Sequence, residues 1–212
     1  MKRPSAQLLL PLVTLAAIVA LYLPWGWHPN ASLSPNVHDL AEWISLSPQA
    51  QAQNPPLLGS LLLRGSVAML AVLAGMQIAR PSRRSSVGLT VLGLAIAVGL
   101  AFTLFPPLDF LSDPGNLNYR QQFLAAIIAL VGILGLIIAS GRLPVRIWNG
   151  LGLLIALGAG LVAVLGLVLA GELFATLGVS LTVGGGAAGF VGLQCVQAGI
   201  YGRELLTPPR PA

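Results

Sequence analysis

The sequence predicts an all-α integral membrane protein: a bundle of six transmembrane helices, with a short amphipathic helix in its first outer loop and both termini cytoplasmic. Three observations carry that prediction: a scarcity of charge, six apolar runs of spanning length, and a one-sided distribution of lysine and arginine. Only 8% of the 212 residues are charged and 56% are hydrophobic, whereas soluble domains carry roughly 25% charged residues. A soluble domain of this composition could not cover its own surface, and disorder needs the opposite balance. The net charge of +5 comes from few groups and no basic stripe is interleaved with aromatics, so nucleic acid is not an expected partner. The single cysteine, Cys195, lies in an apolar run and cannot form an intrachain disulfide.

A helix crosses the roughly 30 Å hydrocarbon core with about 20 mainly apolar residues. Six stretches meet that requirement, at about 7–24, 58–79, 87–105, 121–140, 148–170 and 183–201. None contains Asp, Glu or Lys, and Arg64 is the lone arginine within them. The whole chain, 1–212, therefore reads as a single polytopic domain. Lys2, Arg3, Arg80, Arg83, Arg84, Arg142, Arg146, Arg203 and Arg210 fall on one side, and only Arg64 and Arg120 on the other. Basic residues mark the cytoplasmic side, so this chain belongs in a cell membrane, of prokaryotic cytoplasmic type, with both ends inside. The run after Met1-Lys2-Arg3 ends in Leu23-Pro24-Trp25-Gly26-Trp27 without an Ala-x-Ala site. It is expected to stay as a span rather than be cleaved, with Trp25 and Trp27 as interfacial anchors.

The outer loop, 25–56, is the largest piece outside the spans. Within it Val37, Leu40, Ala41 and Ile44 recur at i, i+3, i+4 and i+7, opposite His38, Asp39, Glu42 and Ser45. This spacing predicts a helix over 36–47, capped by Ser34 or Asn36, ended by Pro48, and lying on the membrane face or on the bundle. Residues 49–56 read as an extended linker. Asn30-Ala31-Ser32 matches a glycosylation acceptor but has no meaning in a prokaryote. The spans form three hairpins, and Pro-Pro-Leu recurs at 55–57 and 106–108, a weak hint of internal repetition. Residues 173–186 read equally as a loop, a re-entrant turn or the start of the sixth span.

Small residues mark the expected packing or partner faces. In the fifth span these are Gly152, Ala156, Ala159, Ala163 and Gly166, spaced 4-3-4-3; in the sixth they are Gly185, Gly189, Gly192 and Gly199. Membrane helices associate by close packing, which small residues allow, so spans four to six are expected to pack together. Phe190, Gln194, Gln197 and Tyr201 share another face of the sixth span, about 150° from the glycines at 100° per residue. With one small face and one polar face, the sixth span should sit centrally or between the bundle and a partner. Gln194, Gln197 and Tyr201 are the candidates for a solute path. Arg64 and Arg120, each at an outer helix end, are candidates for headgroup or anion contact by snorkelling, with Asp109 or Asp113 as alternative carboxylate partners.

Catalytic chemistry is hard to find. No nucleophile, phosphate-binding or zinc-protease motif occurs, no catalytic residue is assigned, and neither a metal nor any other cofactor is expected. His38 and Glu42 stand at i, i+4, a spacing that can share an ion, but a solvated helix face explains them as well; His28 is a lone histidine. No Asp, Glu, Lys or Arg stands near the centre of a span, which argues against ion coupling through side chains. Two functions remain. One is a non-catalytic structural or accessory subunit, with membrane lipids and a membrane protein or a second copy as partners. The other is a small carrier or passive pore for a neutral or lipid-like solute.

Overall fold

The computed structural model describes residues 6–27, 34–79 and 87–207. Among these the chain is helical, apart from one pair of two-residue strands: α1 Ala6–Tyr22, β1 Gly26–Trp27, α2 Val37–Leu46, α3 Pro48–Gln51, α4 Leu58–Ile78, α5 Val87–Phe102, a 3-10 turn Leu108–Leu111, α6 Leu117–Ala139, α7 Val145–Thr176, β2 Thr182–Val183 and α8 Gly185–Leu206. By length and composition α4, α6 and α7 can each cross a membrane, while α1 and α5 are apolar but shorter. This is the build of a helical membrane protein. Although α8 has 22 residues, its glycines and glutamines make it less apolar than those three. Lys2, Arg3, His28, the Asn30-Ala31-Ser32 acceptor, Arg80, Arg83, Arg84 and Arg210 lie outside the described residues.

The centre of the bundle is α4, which touches α1, α2, α5, α6 and α7. Its sequence suits that place: Gly59, Ser60, Ser66, Ala68, Ala71, Ala74 and Gly75 are all buried, and small side chains let several neighbours approach one helix. Of spans four to six, the fifth and sixth pack together as expected, α7 against α8, while the fourth packs elsewhere. α6 packs on α4 and α5, whereas α8 packs on α7 and α1. The small residues of α6 meet α4, where a Cβ on Gly132 would press on Val72. Nor is α8 central: α4 holds that position.

At 32 residues, α7 runs to about 48 Å at 1.5 Å per residue, longer than the predicted fifth span at both ends. It stops at a turn in which Gly178 adopts φ 73°, and the Val179 N–H donates to the Phe174 carbonyl at 2.9 Å. That is the glycine-terminated helix end that satisfies otherwise orphaned carbonyls. Residues 173–186 are thereby resolved into the last turn of α7, a short link, β2 and the start of α8. β2 pairs antiparallel with β1, Gly26 opposite Val183 and Trp27 opposite Thr182.

Glycine at the start of α8 is a packing requirement. The Gly184 N–H donates to the Trp25 carbonyl at 2.9 Å and that of Gly186 to Pro24 at 2.8 Å, so two backbones touch. A Cβ on Gly184 would overlap the Pro24 carbonyl oxygen, and one on Gly186 would overlap that of Leu23. Trp25, expected at the membrane interface, is instead fully buried, donating Nε1–H to the Ala20 carbonyl at 2.9 Å and packing on Phe190. Trp27 is exposed.

Asn36 caps α2 through a reciprocal capping box with Asp39. Val37, Leu40, Ala41 and Ile44 are all buried, so α2 lies on the bundle, against α4. Full burial of a Val, Leu or Ile side chain stabilises by about 1.5–3 kcal/mol. The expected extended linker begins instead as α3, with Ala50 buried. The two Pro-Pro-Leu stretches build different structures. Leu57 is a left-handed cap before α4, with φ 56°, and Leu108 opens the 3-10 turn.

Candidate functional site

The polar face of α2 is only partly left to solvent. Glu42, half-exposed at the edge of the bundle, collects donors from two other helices. Its Oε2 accepts from Arg64 Nη2 of α4 at 2.9 Å and from Gln122 Nε2 of α6 at 3.0 Å. Its Oε1 accepts from Asn118 Nδ2, one turn earlier on α6, at 2.9 Å. Asn118 and Gln122 share a face at i, i+4, and the cap at Asn116 sets the start of that helix. Arg64 is 5% exposed, so its charge is balanced inside the protein. Its partner is Glu42, not Asp109 or Asp113.

Beside this centre lies a cleft of about 280 Å³ lined by His38, Asp39, Glu42, Arg64, Thr103, Leu104, Pro107 and Gln122. Two buried nitrogens here have no partner, Arg64 Nη1 and His38 Nε2. Desolvation holds the His38 imidazole below its ordinary pKa of 6.5, Asp39 opposes that shift, and Arg64 adds to it. The histidine is therefore neutral at neutral pH, and its ring stacks at a tilt on Tyr22. Both oxygens of Glu42 are already engaged with N–H donors. Among the described residues no three His, Cys, Asp or Glu side chains come together in a metal-binding arrangement.

Arg120 stands apart from Arg64. It is exposed and lines a separate cleft of about 480 Å³ with Phe110, Pro114, Leu117, Gln121, Phe123 and Leu124. In that cleft Phe110 and Phe123 stack with centroids 5.3 Å apart.

A second polar cluster lies between α1, α4 and α8. Thr14 Oγ1 accepts from Gln77 Nε2 and from Gln197 Nε2, the latter at 2.8 Å. Gln194 is 1% exposed, yet neither amide atom has a partner, and Gln197 Oε1 also lacks one. Tyr201 packs flat over Gly152, where a Cβ would run into its ring. Phe190, Gln194, Gln197 and Tyr201 thus all face inward.

The small-residue faces divide. On α7, Gly152, Ala156, Ala159, Ala163 and Gly166 are buried, Gly166 against Leu63 of α4. On α8, Gly185, Gly192 and Gly199 are exposed with open space beyond each Cα, and Gly189 is half-buried near Ala20. An apolar groove of about 220 Å³ runs between the two helices, lined by Ala156, Leu157, Gly160, Leu161, Val164, Val191, Gln194 and Cys195.

Sequence reasoning did not find Glu42 as the partner of Arg64, Asn118 and Gln122, nor Thr14 as the partner of Gln77 and Gln197. One signal was available: Arg64, Asn118 and Gln122 are all polar residues just inside the first turns of apolar helices. No protein-family model, curated protein or solved structure matches the chain.

Proposed function

We propose that the chain is a non-catalytic accessory subunit of a membrane complex, crossing a prokaryotic cytoplasmic membrane six times with both termini inside. One observation supports the reading best. The glycine face of α8 points away from its own bundle, with Gly185, Gly192 and Gly199 open. Lipid gains nothing from a bare glycine strip, whereas a partner helix gains close backbone approach. The groove beside Gln194 and Cys195 continues that surface onto α7.

The experiment is the mass and composition of the tagged protein extracted in mild detergent. Wild type should carry a stoichiometric partner, either another membrane protein or a second copy. Gly192→Leu with Gly199→Leu should release it and leave the chain's own fold intact, because a Cβ at either position meets nothing within 4 Å. Gly152→Leu is the contrasting variant: it must displace Tyr201 and should cost the chain itself about 1–3 kcal/mol. A wild-type particle containing a single chain and nothing else would overturn the proposal.

The carrier reading is supported by Gln194, whose amide lies deep in the bundle without a partner. Gln194→Leu with Gln197→Leu would then abolish solute flux in proteoliposomes. Unchanged flux would end that reading.

A further inference from the structure

We infer that the cleft at the start of α6 seats one phospholipid with an ammonium-bearing headgroup, its phosphate on Arg120. This does not depend on the subunit reading, whose partner face lies on α8. Of the side chains lining this cleft of about 480 Å³, Arg120 alone is charged. It is exposed and, among the described residues, its guanidinium makes no ion pair or hydrogen bond. Arg64 is the opposite case, with Nη2 on Glu42 and Nη1 buried. Arg120 therefore offers its donors to whatever enters, and a planar guanidinium fits two oxygens of a phosphate at once. Gln121, the other polar lining residue, donates its amide N–H to the Pro56 carbonyl at 3.0 Å.

The surroundings make the occupant a lipid. The apolar run of α6 begins at Phe123, one turn past Arg120, and α6 is long and apolar enough to cross a membrane. Arg120 then stands at the depth of the headgroups and the rest of the helix at the depth of the chains. Leu124, Ile128, Val131, Leu134 and Ile138 are all exposed and recur every three or four residues on the face that carries Arg120, a track for one acyl chain. Phe110 and Phe123, stacked 5.3 Å apart, wall the cleft. A soluble phosphate ester would have no use for these surfaces.

The lip selects the headgroup. Asp109 and Asp113 are exposed and immediately precede Phe110 and Pro114, two of the lining residues. A headgroup with net negative charge would be repelled by them. Phosphatidylethanolamine carries an ammonium one ethylene link beyond its phosphate, so its charges alternate as those of the site do.

The test is native mass spectrometry of the full chain in detergent, titrated with dioleoyl phosphatidylethanolamine or dioleoyl phosphatidylglycerol. Glycerophosphoethanolamine, the same headgroup without chains, is the soluble comparison. One saturable phosphatidylethanolamine adduct is expected, roughly fivefold tighter than phosphatidylglycerol, the effect of about one charge at a membrane surface. The chain-free headgroup should not be retained. Arg120→Leu should weaken the adduct about tenfold or more, the effect of a charge-assisted hydrogen bond, and leave the lipid-free fold intact because the guanidinium has no partner to lose. Asp109→Asn with Asp113→Asn should keep the adduct and remove the preference between the two lipids. Adducts that accumulate without saturating at one lipid, phosphatidylglycerol bound as tightly as phosphatidylethanolamine, or retention of the chain-free headgroup would each overturn the proposal. So would unchanged binding by Arg120→Leu, or a preference that survives in the double aspartate variant.

Discussion

Near one end of α4, Arg64 brings a full charge in among the helices and Glu42 meets it there. Near the other end, about 20 Å away at 1.5 Å per residue, Gln77 brings only an amide, which Thr14 and Gln197 share. The first centre is charged, balanced, and tied by four side chains from three helices. The second is neutral and incomplete, with Gln194 next to it making no hydrogen bond at all. The difference follows from what each group loses on leaving water. An unpaired buried charge costs far more than an unpaired polar atom, so the charge of Arg64 must be met by Glu42. Single polar atoms are left unpartnered at both centres, Arg64 Nη1 and Asn118 Oδ1 at the first and the Gln194 amide at the second. The charged centre also sits beside a cleft that reaches the surface. The neutral one is buried, and Gln194 at its margin lines the apolar groove between α7 and α8.

Three variants measure that difference, with effects falling in order. Glu42→Leu removes the partner of Arg64 and should be the most damaging. Breaking a fully buried pair costs about 3–5 kcal/mol. Here the Arg64 side chain is 6% exposed but that of Glu42 is 42% exposed, so roughly 2–3 kcal/mol is expected after allowing for solvent screening. The loss should appear as a lower thermal midpoint in detergent, and Glu42→Leu combined with Arg64→Leu should recover most of it. No recovery in the double variant would mean that the pair is not what holds α2 down.

Gln197→Leu should cost much less, about 0.6 kcal/mol, the average for interhelical hydrogen bonds in membranes. Thr14 keeps its bond from Gln77 in that variant. A loss as large as that of Glu42→Leu would erase the distinction between the two centres.

The smallest effect is pH-dependent. Folding holds the His38 pKa below 6.5, so below that pH the unfolded chain binds more protons than the folded one. Stability is then complete above pH 6.5 and declines as the pH falls through the window between the unfolded and folded values. Unfolding midpoints compared at pH 7.5 and 5.5 should show a modest decrease in wild type that is reduced in His38→Phe. An equal decrease in both proteins would assign the slope to another group.

Helix identity was legible in the sequence wherever periodicity carried it. The stripe Val37, Leu40, Ala41, Ile44 is the buried face of α2, and Phe190, Gln194, Gln197, Tyr201 share one face of α8. Partners were not legible. Glu42 finds Arg64 22 positions away, Asn118 76 away and Gln122 80 away, and no local pattern encodes such distances. The acidic side of an amphipathic helix looks the same whether it meets water or a buried guanidinium. The glycines also carried two messages that spacing alone could not separate. Gly184 and Gly186 let one backbone reach another, while Gly192 and Gly199 leave a face bare.

The contact between residues 23–25 and the start of α8 fixes an order of events during synthesis. Trp25 and Gly184 are 159 positions apart, yet their backbones are hydrogen-bonded. At about 5–20 residues per second, α1 waits roughly 8–30 s for the helix that completes it. Over that interval the Trp25 carbonyl has no Gly184 to accept from, and Thr14 has no Gln197. Gln77 of α4 emerges far earlier, so it is available to Thr14 before Gln197 of α8 has been made. The last helix made is thus the one that closes the molecule on its first, and a ribosome halted before residue 184 leaves a ring with its clasp undone.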